Sequence, residues 1–132
     1  MNNNPTTITA LKRGLFCRCP NCGKGKIFSA FLKTSDICPS CGEEIHHHRA
    51  DDLPAYCVII IAGHFVLPLM LLSMAYTAWP NWVHLSIWLP SFLIISVALL
   101  QPVKGAIIAL QWAVGMHGFS AAKKRRNNRQ EY

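Results

Sequence analysis

From Leu53 to Val103 the chain contains no Asp, Glu, Lys or Arg. Fifty-one uncharged residues in one block argue against a large soluble fold, whose apolar residues would be dispersed among charged ones, and for a membrane. The segment up to Leu15 lacks an apolar run. No cleavable signal peptide is therefore expected, and the first membrane helix would act as its own insertion signal. Also missing are a paired-carboxylate pocket, a nucleophile motif and a phosphate-binding loop. These absences argue against an enzyme in the usual sense.

What is present is apolar and basic. The 132 residues are 52% hydrophobic and carry a formal net charge of +7. Seven Lys/Arg precede the uncharged block and six follow it. Retention on one side of a membrane and contact with anionic lipid account for this charge, so membrane lipids are expected partners and nucleic acid is not. The run Lys123–Arg129 reads as the solvated part of a basic disordered tail over 120–132. Residues 1–12 read as a flexible N-terminus.

The uncharged block divides into two spans. The first covers 53–76, enough apolar residues to cross the hydrocarbon. Asp51 or Asp52 is placed to cap it, and Pro54 falls harmlessly in the first turn. A link over 77–82 carries Pro80-Asn81 as a turn signal and two tryptophans suited to the membrane interface. The second span covers 83–103, with a kink expected at Pro90. Basic residues flank both outer ends of this hairpin and the link has none, so a multi-pass protein with both termini in the cytoplasm is expected. Ala106–Phe119 is too short to span comfortably. It reads as an interfacial helix over 105–119, or else as a continuation of the second span beyond Pro102.

Four cysteines stand in two matching frames, Cys19-Pro20-Asn21-Cys22-Gly23 and Cys38-Pro39-Ser40-Cys41-Gly42. Fifteen residues separate the pairs, the spacing of a four-cysteine zinc site. Two intervening residues let one tight turn aim both sulfurs at one ion. The Pro stiffens that turn, and the Gly after each second cysteine supplies a positive φ. A zinc-ribbon-like knob of short β hairpins is thus expected over 13–50, its minimal core drawn from Lys26-Ile27-Phe28 and Phe31-Leu32 and most of its folding energy from the metal. Zinc is the expected ion. Iron is the competitor, because these knuckles also resemble those of rubredoxin. A closed four-thiolate site leaves no position for substrate, which points to a structural role.

Residues beside the knuckles form a second tier. Cys17 is a spare thiol or, with Cys19, a Cu(I) ligand. His46, His47 and His48 are a polar linker or, with Asp51 and Asp52, a transient metal site. Arg49 is placed to pair with either aspartate or with lipid phosphate. His64 lies about 13–14 Å along the first span from Ala55 and faces a second helix, with Ser96 at the matching depth as a hydrogen-bond partner. Haem within one chain would need a histidine at that depth on the second span, and none is there, which leaves a site between two chains as the haem alternative.

Further residues carry a family resemblance. They are the two knuckles, His48-Arg49-Ala50-Asp51-Asp52-x-Pro54-x-Tyr56, Gly63-His64 and Pro68. Gln101-Pro102-Val103-Lys104-Gly105, Ala109-Leu110-Gln111-Trp112 and Met116-His117-Gly118-Phe119 complete the set. From about Arg13 to Phe119 the chain resembles the domain-of-unknown-function 983 family of small bacterial membrane proteins. The resemblance implies an inner-membrane protein whose family genes often neighbour those for cytochrome c oxidase subunits and assembly factors. It implies no catalytic residue. The expected function is a membrane-anchored, zinc-binding accessory or assembly factor for a respiratory complex, with membrane-complex subunits or assembly proteins as partners. Copper or haem handling and rubredoxin-like electron transfer are the alternatives.

Overall fold

A computed structural model describes residues 5–49 and 51–130. Residues 1–4 of the expected flexible start, Ala50 of the expected knob and residues 131–132 of the expected tail lie outside the described residues. The chain forms two units, one from residues up to Asp51 together with those from Gln101 onward, the other Asp52–Leu100.

The first unit begins with α1 (Thr7–Leu15). Thr6 caps it, its hydroxyl accepting the Thr9 N–H at 3.4 Å, and Lys12 and Arg13 in the last turn suit the negative end of the helix dipole. Much of the segment expected to be flexible is therefore helical. The cause lies far along the chain: Ala10 packs with Trp112 and Phe119, and Gly14 meets Gly105 so closely that a Cβ on either would overlap the other's backbone.

Strands β1 (Phe28–Ala30) and β2 (Lys33–Thr34) pair antiparallel, Phe28 opposite Thr34 and Ala30 opposite Lys33. Leu32 turns the chain between them at φ 61°, and Lys104 Nζ donates to its carbonyl at 2.9 Å. The core joins Cys19, Ile27, Phe28, Cys38 and Ile45 to Ile108, so the small hairpin is not self-sufficient.

The second unit holds α2 (Leu53–Tyr76) and the first part of α3 (Asn81–Val114). Both are long and apolar enough to cross a membrane, with mean hydropathy of 2.3 and 2.1 over their most apolar stretches. Pro54 lies in the first turn of α2, as expected. Asp52 occupies the capping position but its carboxylate makes no capping bond. Its backbone is already helical (φ −97°, ψ −24°), whereas side-chain capping needs an extended residue there.

Helix α3 runs unbroken through Pro90 and Pro102, so no separate helix spans 105–119. Residues Gly105, Ile108, Ala109 and Trp112 are buried against the first unit's own elements, which keeps the helix going. It stops at Gly115 (φ 78°), where the Met116 N–H bonds the Gln111 carbonyl at 2.9 Å and the Gly115 N–H bonds that of Trp112 at 3.2 Å. This is the six-to-one and five-to-two closure that a left-handed glycine permits. After a turn, α4 (Phe119–Gln130) forms where a disordered tail was expected. Phe119 and Ala122 are buried, and Lys123 and Arg126 find partners, described next.

Candidate metal centre

Each knuckle sits in the loop of a short antiparallel bridge, Arg18 opposite Lys26 and Ile37 opposite Glu44. The two loops share one backbone plan. The N–H of Gly23 bonds the carbonyl of Cys19 at 2.9 Å, and that of Gly42 bonds Cys38 at 2.9 Å. Gly23 and Gly42 take φ 70° and 69°, the conformation their frames require.

The loops bring all four Sγ atoms of Cys19, Cys22, Cys38 and Cys41 within 4.8 Å of one another. Cys19 lies 3.8 Å from Cys41 and Cys22 lies 3.8 Å from Cys38. A tetrahedral ion with metal–sulfur bonds of about 2.3 Å requires sulfur–sulfur edges of about 3.8 Å. The four sulfurs fit a single ion, and none of the six cysteines is in a disulfide.

Several residues that the cysteine pattern did not single out support this cluster. Arg13 Nη1 donates to the carbonyls of Pro20 at 3.1 Å and Asn21 at 2.6 Å, pinning the first knuckle to α1. Asn21 Nδ2 and the Lys24 N–H point at the sulfurs of Cys41 and Cys22, at 3.6 and 3.5 Å. Gly25 is obligatory for space, because any Cβ there would run into Cys38 Sγ. Burial pushes the Cys19 and Cys41 thiols up. Burial works the same way on Cys22, but the N–H groups of Gly25 and Lys24 outweigh it and hold that thiol at about 7.

Cys17 stays outside the four-sulfur cluster. It turns the chain at φ 57° and its thiol is raised by burial. His46 and His47 gather with Glu44 instead of the aspartates, their ligand atoms within 4.8 Å. His47 Nε2 lies 2.8 Å from Glu44 Oε2, and that hydrogen bond holds the Glu44 carboxyl below the usual carboxylate range. His48 turns away, its Nδ1 3.0 Å from the Ile45 carbonyl and its Nε2 3.4 Å from the Thr34 hydroxyl. Arg49 is gripped through its backbone: the Gln111 amide accepts its N–H at 3.1 Å and donates to its carbonyl at 2.9 Å. Asp51 is exposed.

Glu43, next to Glu44, went unmarked in the sequence. It is buried, accepts from the Trp112 indole N–H at 2.9 Å and pairs with Arg126 of α4. Lys123 donates to the Trp112 carbonyl at 2.7 Å with its ammonium 3.7 Å above the Trp112 ring. Burial there pushes the Lys123 ammonium down, opposed by Glu43. Part of the basic tail thus neutralises and covers the chain's own surface.

In the second unit, His64 does not reach Ser96. Its Nδ1 lies 2.7 Å from the Ile60 carbonyl one turn back, and Ser96 Oγ is buried without a partner. Local bonding to its own helix satisfied the imidazole first. His64 instead lines an apolar groove of about 580 Å³ with Trp88 and Phe92 among its walls. The polar tie between α2 and α3 is His84, buried with Nδ1 3.2 Å from Ser73 Oγ and Nε2 3.3 Å from Thr77 Oγ1, while Trp88 Nε1 donates to Ser73 Oγ at 3.0 Å.

A four-sulfur cluster that can hold one ion, in a chain with two helices able to cross a membrane, defines the class. Residues 28–112 match the family described as "Protein of unknown function (DUF983)". That stretch is more than half of the chain, and the chain belongs to this family. It contains Cys38 and Cys41 but begins after Cys19 and Cys22, so the complete cluster is carried by geometry. No curated protein and no solved structure matches the chain.

Proposed function

We propose that the chain is a membrane-anchored, zinc-binding accessory factor that assembles a respiratory membrane complex of the cytochrome c oxidase type by protein–protein contact. The observation that carries the reading is the cluster of four sulfurs within 4.8 Å of one another, with two opposite separations of 3.8 Å. Four thiolates saturate a zinc ion and leave no coordination position for a substrate. The cluster therefore serves to fold and present a surface. Only 17% and 6% of the most apolar stretches of α2 and α3 is buried, as suits helices facing lipid in the bacterial inner membrane. The basic residues on both outer flanks favour cytoplasmic termini.

The test is affinity purification of the full chain from membranes in mild detergent, with metal analysis of the same sample. One zinc per chain and co-purifying oxidase subunits or assembly proteins are expected. Recovery of no membrane-complex protein overturns the assembly role, and a visible thiolate-to-iron band overturns zinc.

Metal handling is the second reading, favoured by the Glu44, His46 and His47 group. It requires metal beyond one equivalent in the purified protein, and its loss in His46→Ala/His47→Ala.

A further inference from the structure

In the first unit a cleft of about 360 Å³ opens beside the first knuckle, lined by Phe16, Cys17, Arg18, Lys24, Lys26 and Gln101 among others. Three cations and no carboxylate face it. Arg18 and Lys26 are direct cross-strand partners, an arrangement in which like charges repel. Among the described residues none of the three is in an ion pair. We propose that this cleft binds the phosphate of an anionic lipid headgroup.

A phosphate between Arg18, Lys24 and Lys26 converts the built-in repulsion into charge-assisted hydrogen bonds. Gln101 adds a neutral amide donor. The cleft has room for a phosphodiester and its glycerol.

Two observations select lipid over free phosphate. The first rests on the membrane-spanning reading above. Gln101 follows the stretch Asn81–Leu100 of α3. Twenty residues rise about 30 Å, the thickness of the hydrocarbon, which brings Gln101 to headgroup level. The second is local. Phe16 on the rim is 78% exposed, and Ile8 and Leu15 of α1 are exposed with it. Apolar side chains beside cations suit a lipid interface and gain nothing from an inorganic ion.

The test uses the full chain in detergent, offered equal phosphatidylglycerol and phosphatidylcholine and weighed by native mass spectrometry. The wild type should retain phosphatidylglycerol preferentially. Each cation near a phosphate contributes about five-fold in affinity, so Arg18→Gln/Lys26→Gln should lose roughly 25-fold. Lys12→Gln/Lys124→Gln makes the same charge change outside the cleft and should keep the preference. Unchanged metal content in both variants verifies folding. Equal retention of the two lipids, or equal loss in both variants, overturns the site. Complete displacement by millimolar inorganic phosphate overturns the lipid assignment. Alkaline carbonate extraction separates the two levels: release of the chain from membranes overturns the spanning reading, whereas firm retention without lipid preference overturns the cleft alone.

Discussion

Replacing Glu43 by Gln should loosen α4 without unfolding the chain. The Glu43 carboxylate is 3% exposed and receives two donors, the Trp112 indole and the Arg126 guanidinium. A glutamine has one acceptor oxygen, so one donor must face its NH2 group. Losing one charge-assisted hydrogen bond costs about 1.5–3 kcal/mol. The Arg126 side chain is 24% exposed and can recover water, which sets the expected cost near 2 kcal/mol. Phe119, Ala122 and the Lys123–Trp112 contact remain, so the loss should appear as local opening. About 2 kcal/mol corresponds to roughly 30-fold faster exchange of the α4 amides. Hydrogen exchange by mass spectrometry, on full-length protein in detergent, reads this over 119–128. α2 supplies the internal reference. Unchanged exchange over 119–128 would refute the claim that this contact holds α4. Equal acceleration in α2 would refute its locality.

Three further outcomes are expected. Gly25→Ala should abolish stoichiometric metal retention because its methyl group collides with Cys38 Sγ, whereas Gly42→Ala meets no atom within 4 Å and should cost only the roughly 1–2 kcal/mol of a left-handed backbone, both read by metal content after dialysis. Gly105→Val should expose α1 to limited proteolysis within its own nine residues, since the added carbons occupy the Gly14 backbone; protection equal to wild type would show that the glycine contact is dispensable. In His47→Ala the Glu44 carboxyl should titrate back up to the ordinary range, followed by NMR. Because the His47 contact lowers the folded value, its stabilisation is complete above the ordinary carboxylate pKa of about 4.3 and disappears as pH falls through the lowered one.

The two apolar helices and the cysteine cluster were legible because each is written locally. Hydropathy accumulates over adjacent residues, and a knuckle needs only a Pro, a Gly and a two-residue gap. The ends of α3 and the whole of α1 and α4 were less legible for the opposite reason. α1 is held by Ala109, Trp112 and Phe119, and α4 by Glu43, partners that no window around either helix contains. Gly115 did carry a local stop signal, a glycine just beyond an apolar helical run. The balance between Pro102 as a breaker and burial of Ile108 and Trp112 as a continuation was settled by packing. His64 shows a third kind of miss: depth in a helix located the residue, but its own backbone one turn back offered a nearer acceptor than the neighbouring helix.

The first unit is assembled from two stretches separated in the chain by Asp52–Leu100. During synthesis its cysteines emerge long before Ile108, Trp112 and Phe119 exist to cover them. At roughly 5–20 residues per second, 49 intervening residues impose a delay of about 2–10 s. Through that interval the knuckles have only the residues already made, Arg13, Ile27, Phe28 and Ile45 among them, and the ion proposed for their four sulfurs. On the metal-binding reading proposed above, coordination becomes less a final ornament of the fold than its earliest checkpoint, and a cell short of the ion would release chains whose last two helices have nothing ordered to close upon.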